Sequence, residues 1–314
     1  MSIRSLRIMA PGAAAVLAVP ALAGGYELQV VNIAILNAIV VLGLNFVTGW
    51  TGQVNFGQAA FYGLGAYTTA LASKAGAPWI VTPLLSAFVV MLASLVLGVP
   101  TLRLRSYYLA MTTIGFGEIV YLIIVHWEPV TGGTSGLRAI PGITLFGAAV
   151  EGQVQHYYLL VGMLALATLV ASRIRQSAFG RAMIATRDSE IAAALSGIDT
   201  VRTKVTAFMI GAVYAGVAGC FYASFIRFIS PDSFTGTQAA LLMTMLIIGG
   251  VGSIAGSIAG AVCLTVLPEL LRFMGQWYLV FYGLGVVVVI VLAPGGLAAG
   301  FAGLQQRWTR GAKR

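Results

Sequence analysis

A chain of 314 residues with 59% apolar and 9% charged side chains and a mean hydropathy of +0.94 lies outside the range of soluble globular domains. It reads as an integral membrane protein. The formal charge of +9 does not point to nucleic acid, because the basic residues cluster at the ends of apolar runs, where they set membrane orientation.

Runs of the roughly 20 apolar residues that cross a bilayer as helix recur along the chain, and the ~10-residue alternation of an outer-membrane barrel is not seen. The expected fold class is all-α, a polytopic helical bundle of about ten transmembrane segments. They lie near 8–24, 28–48, 54–73, 79–99, 106–126, 156–172, 205–226, 235–251, 253–268 and 277–293. Starting inside, this order puts fourteen basic residues in the cytoplasm: Arg4, Arg7, Arg103, Arg105, Arg173, Arg175, Arg181, Arg187, Arg202, Lys204, Arg307, Arg310, Lys313 and Arg314. Only Lys74, Arg138, Arg227 and Arg272 fall outside. That bias predicts two cytoplasmic termini, a periplasmic loop at 127–155 and a cytoplasmic loop at 173–204 within a single transmembrane domain, 1–314.

The first segment has a competing reading. Arg4, Arg7, a short apolar stretch and Ala21-Leu22-Ala23 also fit a cleavable signal peptide. Its removal would leave nine spans and an outer start near Gly24, with every later loop on its assigned side.

The second span runs into Thr48-Gly49-Trp50-Thr51-Gly52-Gln53-Val54-Asn55-Phe56-Gly57-Gln58. In hydrocarbon, such a stretch must be shielded by protein or line a wet cavity, because its backbone and amides need partners. Asn45, Gln53, Asn55 and Gln58 are therefore candidates for a substrate path, and equally for amides that tie close-packed helices together.

Glu118 lies 13 residues past Arg105, roughly 20 Å along a helix, which sets a carboxyl deep in the membrane. Two readings follow: a proton-relay or substrate-amine site, and the plainer one of a protonated or paired group holding its helix in place. Glu118 joins the path candidates. His126 and His156 flank the outer loop and read as interfacial anchors. Within that loop, Thr131-Gly132-Gly133-Thr134-Ser135-Gly136-Leu137 forms a polar turn able to offer backbone groups, but no phosphate-binding glycine motif occurs anywhere in the chain.

In the cytoplasmic loop, Asp188 is the expected N-cap, Glu190 suits a first turn, Ala192 to Ala194 favour helix and Gly197 is the expected terminator. Ile191, Ala194, Leu195 and Ile198 fall at i, i+3, i+4 and i+7, a short apolar stripe for a lipid surface or for the groove of a soluble partner.

Further on, Gly252, Gly256 and Gly260 make two GxxxG steps, flanked by Ser253, Ser257 and Ala261, a pattern for close backbone packing. Gly249-Gly250 marks a bend ahead of it. Cys220 and Cys263 sit inside apolar runs without a CxxC partner, which argues for core positions and against a metal site.

Four ordered blocks carry a resemblance over nearly the whole chain. They are Gly49 to Ala70, Leu102 to Leu137, Arg187 to Ile198 with Lys204 to Ala223, and Ile248 to Ala261. Together they resemble the branched-chain amino-acid permeases of bacterial ABC importers, closest to the M-type subunit. The resemblance implies an inner-membrane transport subunit, not an enzyme. It would pair with a second permease subunit in a heterodimer and receive solute from a periplasmic binding protein.

 

The second subunit is expected to be a different chain. Two cytoplasmic ATPases would drive transport and bind the ATP and magnesium, so this chain itself carries no cofactor. Membrane lipid would surround it. The helix around 188–197 would be the coupling helix, its stripe seated in an ATPase groove and Arg187, Asp188 and Glu190 at the rim. ABC permeases more broadly carry E-A-A-x-x-x-G, and here Ile191 stands at the glutamate position with Glu190 one residue earlier. Urea and short-chain amide importers use permeases with a similar block pattern, so these solutes stand beside branched-chain amino acids as substrates. An ion-coupled transporter working alone is a reading of a different class. It would make Glu118 central and the 188–197 loop dispensable.

Overall fold

The computed structural model describes residues 19–20, 24–101, 106–145, 148–272 and the isolated positions 283, 284, 287, 296 and 297. The expected first and last segments, 8–24 and 277–293, and Arg103 and Arg105 therefore lie almost wholly outside the described residues, as does the signal-peptide alternative.

Helix α1, Gly25–Leu44, continues as a π-helical turn, Asn45–Trp50. From Ala34 to Trp50 every residue is buried, as expected of a helix that is apolar all round. The chain then runs without helix through residues 51–57. The expected span at 54–73 starts late for this reason: helix α2 is Gln58–Lys74. Asn55 Oδ1 accepts the Gly57 N–H at 2.8 Å, and this side-chain bond competes with the ladder that hydropathy alone would extend.

A 3-10 turn, Trp79–Val81, leads into α3, Thr82–Thr101. The inward face of α3 is Thr82, Ser86, Val90, Ser94 and Gly98, while Leu84, Phe88, Leu92 and Val96 face outward. Small and polar residues inside with large apolar ones outside is the arrangement of a helix packed on protein and facing lipid. Ser86 Oγ donates to the Gly65 carbonyl at 3.0 Å and meets Thr69 Oγ1 at 2.8 Å, which joins α3 to α2.

Helix α4, Ser106–His126, a short α5, Glu128–Thr131, and a 3-10 turn at Gly133–Ser135 follow. Strand β1, Leu137–Arg138, pairs antiparallel with β4, Phe228–Ile229, in the register Leu137 to Ile229; β2, Thr144–Leu145, pairs with β3, Ala148–Ala149. The polar turn at 131–137 thus folds back onto the chain, with the Thr131 hydroxyl donating to the Ile124 carbonyl at 2.6 Å.

Helix α6 is Gln153–Gln176, α7 is Ala178–Asp188, α8 is Glu190–Leu195 and α9 is Thr200–Ile226. Helix α9 packs on α2, α3 and α1 through Ala207, Gly211, Ala212, Ala215, Gly216 and Gly219, small residues that let backbones meet without a driving force from water. Gln58 Nε2 donates to the carbonyls of Val40 at 3.2 Å and Gly211 at 2.9 Å, joining α1, α2 and α9 from within.

Helices α10, Gly236–Gly249, and α11, Ile254–Leu270, form a hairpin. The expected glycine series is only partly one face. Gly252 stands in the turn at φ +89°, while Gly256 and Gly260 lie in α11 against Gly249 and Met245 of α10. Ser253 caps α11 by accepting the Gly256 N–H at 3.1 Å. Cys220 is buried beside Thr82, but Cys263, expected in the core, faces outward.

Among the described residues, five helices are long and apolar enough to span a membrane: Gly25–Trp50, Trp79–Thr101, Tyr107–His126, Gln153–Gln176 and Thr200–Ile226. The chain is a multi-pass, all-α membrane protein, with small two-stranded pairings in its loops.

Candidate functional site

The loop between α6 and α9 folds as two helices where the sequence pointed to one. Ser177 caps α7 by accepting the Gly180 N–H at 3.2 Å. Asp188, the expected N-cap of the second helix, instead ends the first; Ser189 takes the cap and accepts the Ala192 N–H at 3.3 Å. A short polar side chain at either position could serve, and the extended backbone of Ser189 (φ −158°, ψ 111°) settles which does. Gly197 follows α8 at φ +83°, the left-handed geometry of a helix stop.

Helix α8 is turned so that Ala193 is buried while Ile191 and Leu195 are 77% and 85% exposed. Ala192 and Ala194 are exposed beside them. Two polar contacts of Glu190 fix this attitude. Glu190 Oε1 meets Lys204 Nζ at 2.6 Å, the lysine side chain being 8% exposed, and Thr200 Oγ1 donates to the same carboxylate at 3.4 Å. Arg187 Nη1 donates to the carbonyl of Gly49 in the π turn. Of the three charges that the resemblance sets at the rim, Arg187 and Glu190 are thus engaged with the bundle. Lys204 was counted in the sequence as a topology charge; its role as the partner of Glu190 depends on the reversal between α8 and α9.

The π turn meets the hairpin here as well. Asn45 Oδ1 accepts the Gly252 N–H at 2.9 Å and Trp50 Nε1 donates to the Gly252 carbonyl at 3.1 Å. Neither Trp50 nor the turn at 250–253 carried a functional signal in the sequence beyond their glycine neighbours.

Of the path candidates, Asn45, Gln53, Asn55 and Gln58 are all 3% exposed or less. Asn55 Nδ2 donates to Gln58 Oε1 at 3.3 Å, and Phe56 N donates to Thr113 Oγ1 at 3.1 Å. Asn55, Gln58 and the Phe56 backbone thus knit α1, α2, α4 and α9 together. Glu118 is placed differently. It is exposed on α4 and lines a cleft of about 290 Å³ with Phe56, Ala60, Ile114, Phe234 and Thr235. One carboxylate among apolar walls and a hydroxyl can receive a cationic amine beside an aliphatic group.

At the other end of the bundle His156 is buried rather than interfacial, with Nδ1 2.9 Å from the Gly152 carbonyl and its ring against Phe225. His126 is exposed.

A family model described as branched-chain amino acid transport system / permease component matches residues 27–293. The chain is 35% identical over 296 residues to the high-affinity branched-chain amino acid transport system permease protein LivM of Salmonella typhimurium, covering 86% of this chain and 69% of that protein. It is 36% identical over 295 residues to the protein of the same name from Escherichia coli, covering 85% and 69%. The autoinducer 2 import system permease protein LsrC of Yersinia pseudotuberculosis is 28% identical over 251 residues, 77% and 69% of the two chains. No solved structure matches.

Proposed function

Because the chain belongs to the permease components of branched-chain amino acid transport systems, we propose that it is a membrane subunit of an ATP-driven importer of branched-chain or related amino acids in a bacterial inner membrane. Residues 1–314 form one permease domain of ten segments with both termini cytoplasmic, 127–155 outside and 173–204 inside. A second, different permease subunit completes the path, a periplasmic binding protein delivers solute, and two cytoplasmic ATPases bind and hydrolyse ATP with magnesium.

The observation that carries this reading is α8. An apolar pair as exposed as Ile191 and Leu195, on a helix pinned to the bundle by Glu190 and Lys204, suits an ATPase groove. Ile191, Ala192, Ala194 and Leu195 make that contact, Asp188 borders it, Gly197 ends the helix, Glu190 holds it in position, and Arg187 links its approach to the end of α1. ATP binding closes the ATPase pair, the coupling helices move, and the path between the permease subunits opens outward; hydrolysis returns it inward.

Glu118 lines the path, and Asn45, Gln53, Asn55 and Gln58 stand behind it as the ties of its wall. Uptake of labelled leucine and labelled urea at sub-micromolar solute, in cells with and without the gene, tests the substrate. Loss of leucine uptake alone is expected; loss of urea uptake alone moves the chain to the urea and amide importers. Glu118→Gln keeps the shape and removes the charge. It is expected to lower leucine uptake about tenfold or more, the worth of one charge-assisted hydrogen bond, with the complex intact on purification. Unaltered uptake would take Glu118 off the path.

A further inference from the structure

Arg187 lies in the last turn of α7, two residues before the cap of α8, yet its side chain belongs to the bundle. Its guanidinium donates to the Gly49 carbonyl at the free end of α1, where unpaired carbonyls and the helix dipole favour a cation. Two glycines at positive φ make room for it. A Cβ at Gly52 (φ +71°) would lie 3.1 Å from Arg187 Cγ, and one at Gly252 (φ +89°) would lie 3.1 Å from Arg187 Nη1. Gly252 is itself bound to α1 on both sides of its peptide, through Asn45 and Trp50. One side chain of the loop thus touches the end of α1, the chain leaving it and the α10–α11 turn. The π turn there breaks regular helix at the point of contact, a feature that recurs at functional positions.

We propose that Arg187 is the positioning residue that transmits displacement of α8 to α1 and to the α10–α11 hairpin, moving them as one piece. This rests on the reading of α8 as the ATPase contact. A planar guanidinium with five donors can hold the carbonyl while its stem lies in the glycine cradle, whereas a lysine offers a single ammonium. The Glu190–Lys204 pair fastens the other side of α8 to α9, so a push on α8 reaches the core helices along two separate routes, and the Arg187 route meets the hairpin at its turn.

The test uses the whole importer in proteoliposomes, with permease pair, ATPases and solute-loaded binding protein. Arg187→Gln is expected to retain both ATPases on purification and basal ATP hydrolysis. It should lose about tenfold of the hydrolysis stimulated by binding protein and of leucine uptake, the scale of one charged hydrogen bond. Arg187→Lys recovers part of both. A residue that merely held the loop's shape would release the ATPases when changed, and that result overturns the proposal, as does full stimulation in Arg187→Gln. If Arg187→Gln fails to accumulate in the membrane, Trp50→Phe decides, since it removes the indole donor to Gly252 and keeps an aromatic ring against Phe46. Weakened coupling with ATPases bound is expected there, and wild-type coupling sinks the idea. Ala194→Arg checks the premise separately: retained ATPases and uptake in that variant dismiss the ATPase contact itself, whereas normal coupling in Arg187→Gln dismisses only the role of Arg187.

Discussion

Replacing Ala194 with arginine is expected to abolish leucine uptake and copurification of the ATPases, while the permease inserts in the membrane at its normal level. Ala194 is exposed beside Ile191 and Leu195, whereas Ala193 is buried, so the free subunit accepts an arginine at little cost. The assembled importer does not. Burying Ile191 and Leu195 in a groove contributes on the order of 1.5–3 kcal/mol each. An unpaired charge carried into the same groove costs several kcal/mol, which outweighs the larger part of that gain. Membrane fractionation, affinity purification of the complex and labelled-leucine uptake read the three consequences. Uptake that survives the substitution would remove ATP coupling through this loop. It would favour a carrier working alone, with Glu118 at its centre.

The outward stripe of α8 was legible because the sequence carries it as a period. Ile191, Ala194 and Leu195 recur at helical spacing and all three are exposed, whereas Ile198, the fourth position of the expected stripe, lies past Leu195, where α8 ends, and is half-buried. The long spans were legible for a similar reason, since hydropathy is a bulk property that survives errors of a few residues at each end. What the sequence hid were contacts between distant residues. Glu190 and Lys204 are fourteen positions apart, Arg187 reaches Gly49, and Gln58 reaches Gly211; no local period encodes such meetings. Asp188 and Ser189 are both good caps, and backbone geometry alone chose the second. The late start of α2 came from the Asn55 side chain, whose bond to the Gly57 N–H is invisible to a hydropathy window that counts Val54 and Phe56 as membrane. Gln58, one of the amides suited both to a wet path and to packing, ties α1 to α9 because the carbonyls of Val40 and Gly211 lie within its reach.

Gly219→Val is expected to prevent stable folding, although it exchanges one apolar residue for another inside a membrane helix. Helix α9 crosses α2 so closely that a Cβ at 219 would stand 2.1 Å from the Tyr62 carbonyl oxygen and 2.8 Å from the Ala66 nitrogen. A Cβ at Gly65 would likewise stand 2.2 Å from the Gly216 oxygen. Backbone cannot swing aside as a side-chain tip can, so the whole helix must move. Overpacking of this kind costs about 1–3 kcal/mol where neighbours can adjust, and here it also draws three bonds apart. Gln58 to Gly211, Trp79 to Ser224 at 2.8 Å and Thr82 to Cys220 at 3.3 Å all depend on where α9 lies. Lipid supplies no hydrophobic force to press the helices back together, so close packing and these bonds are what hold the crossing. The measurement is the amount of monodisperse protein after detergent extraction and its apparent Tm, with Gly162→Val as the comparison. Gly162 is exposed on α6 with open space around its Cβ position, so that variant should match the wild type. Equal loss in both would mean that helix propensity, not the α2–α9 approach, decides the cost. Loss confined to position 219 places the cost in the contact between two backbones.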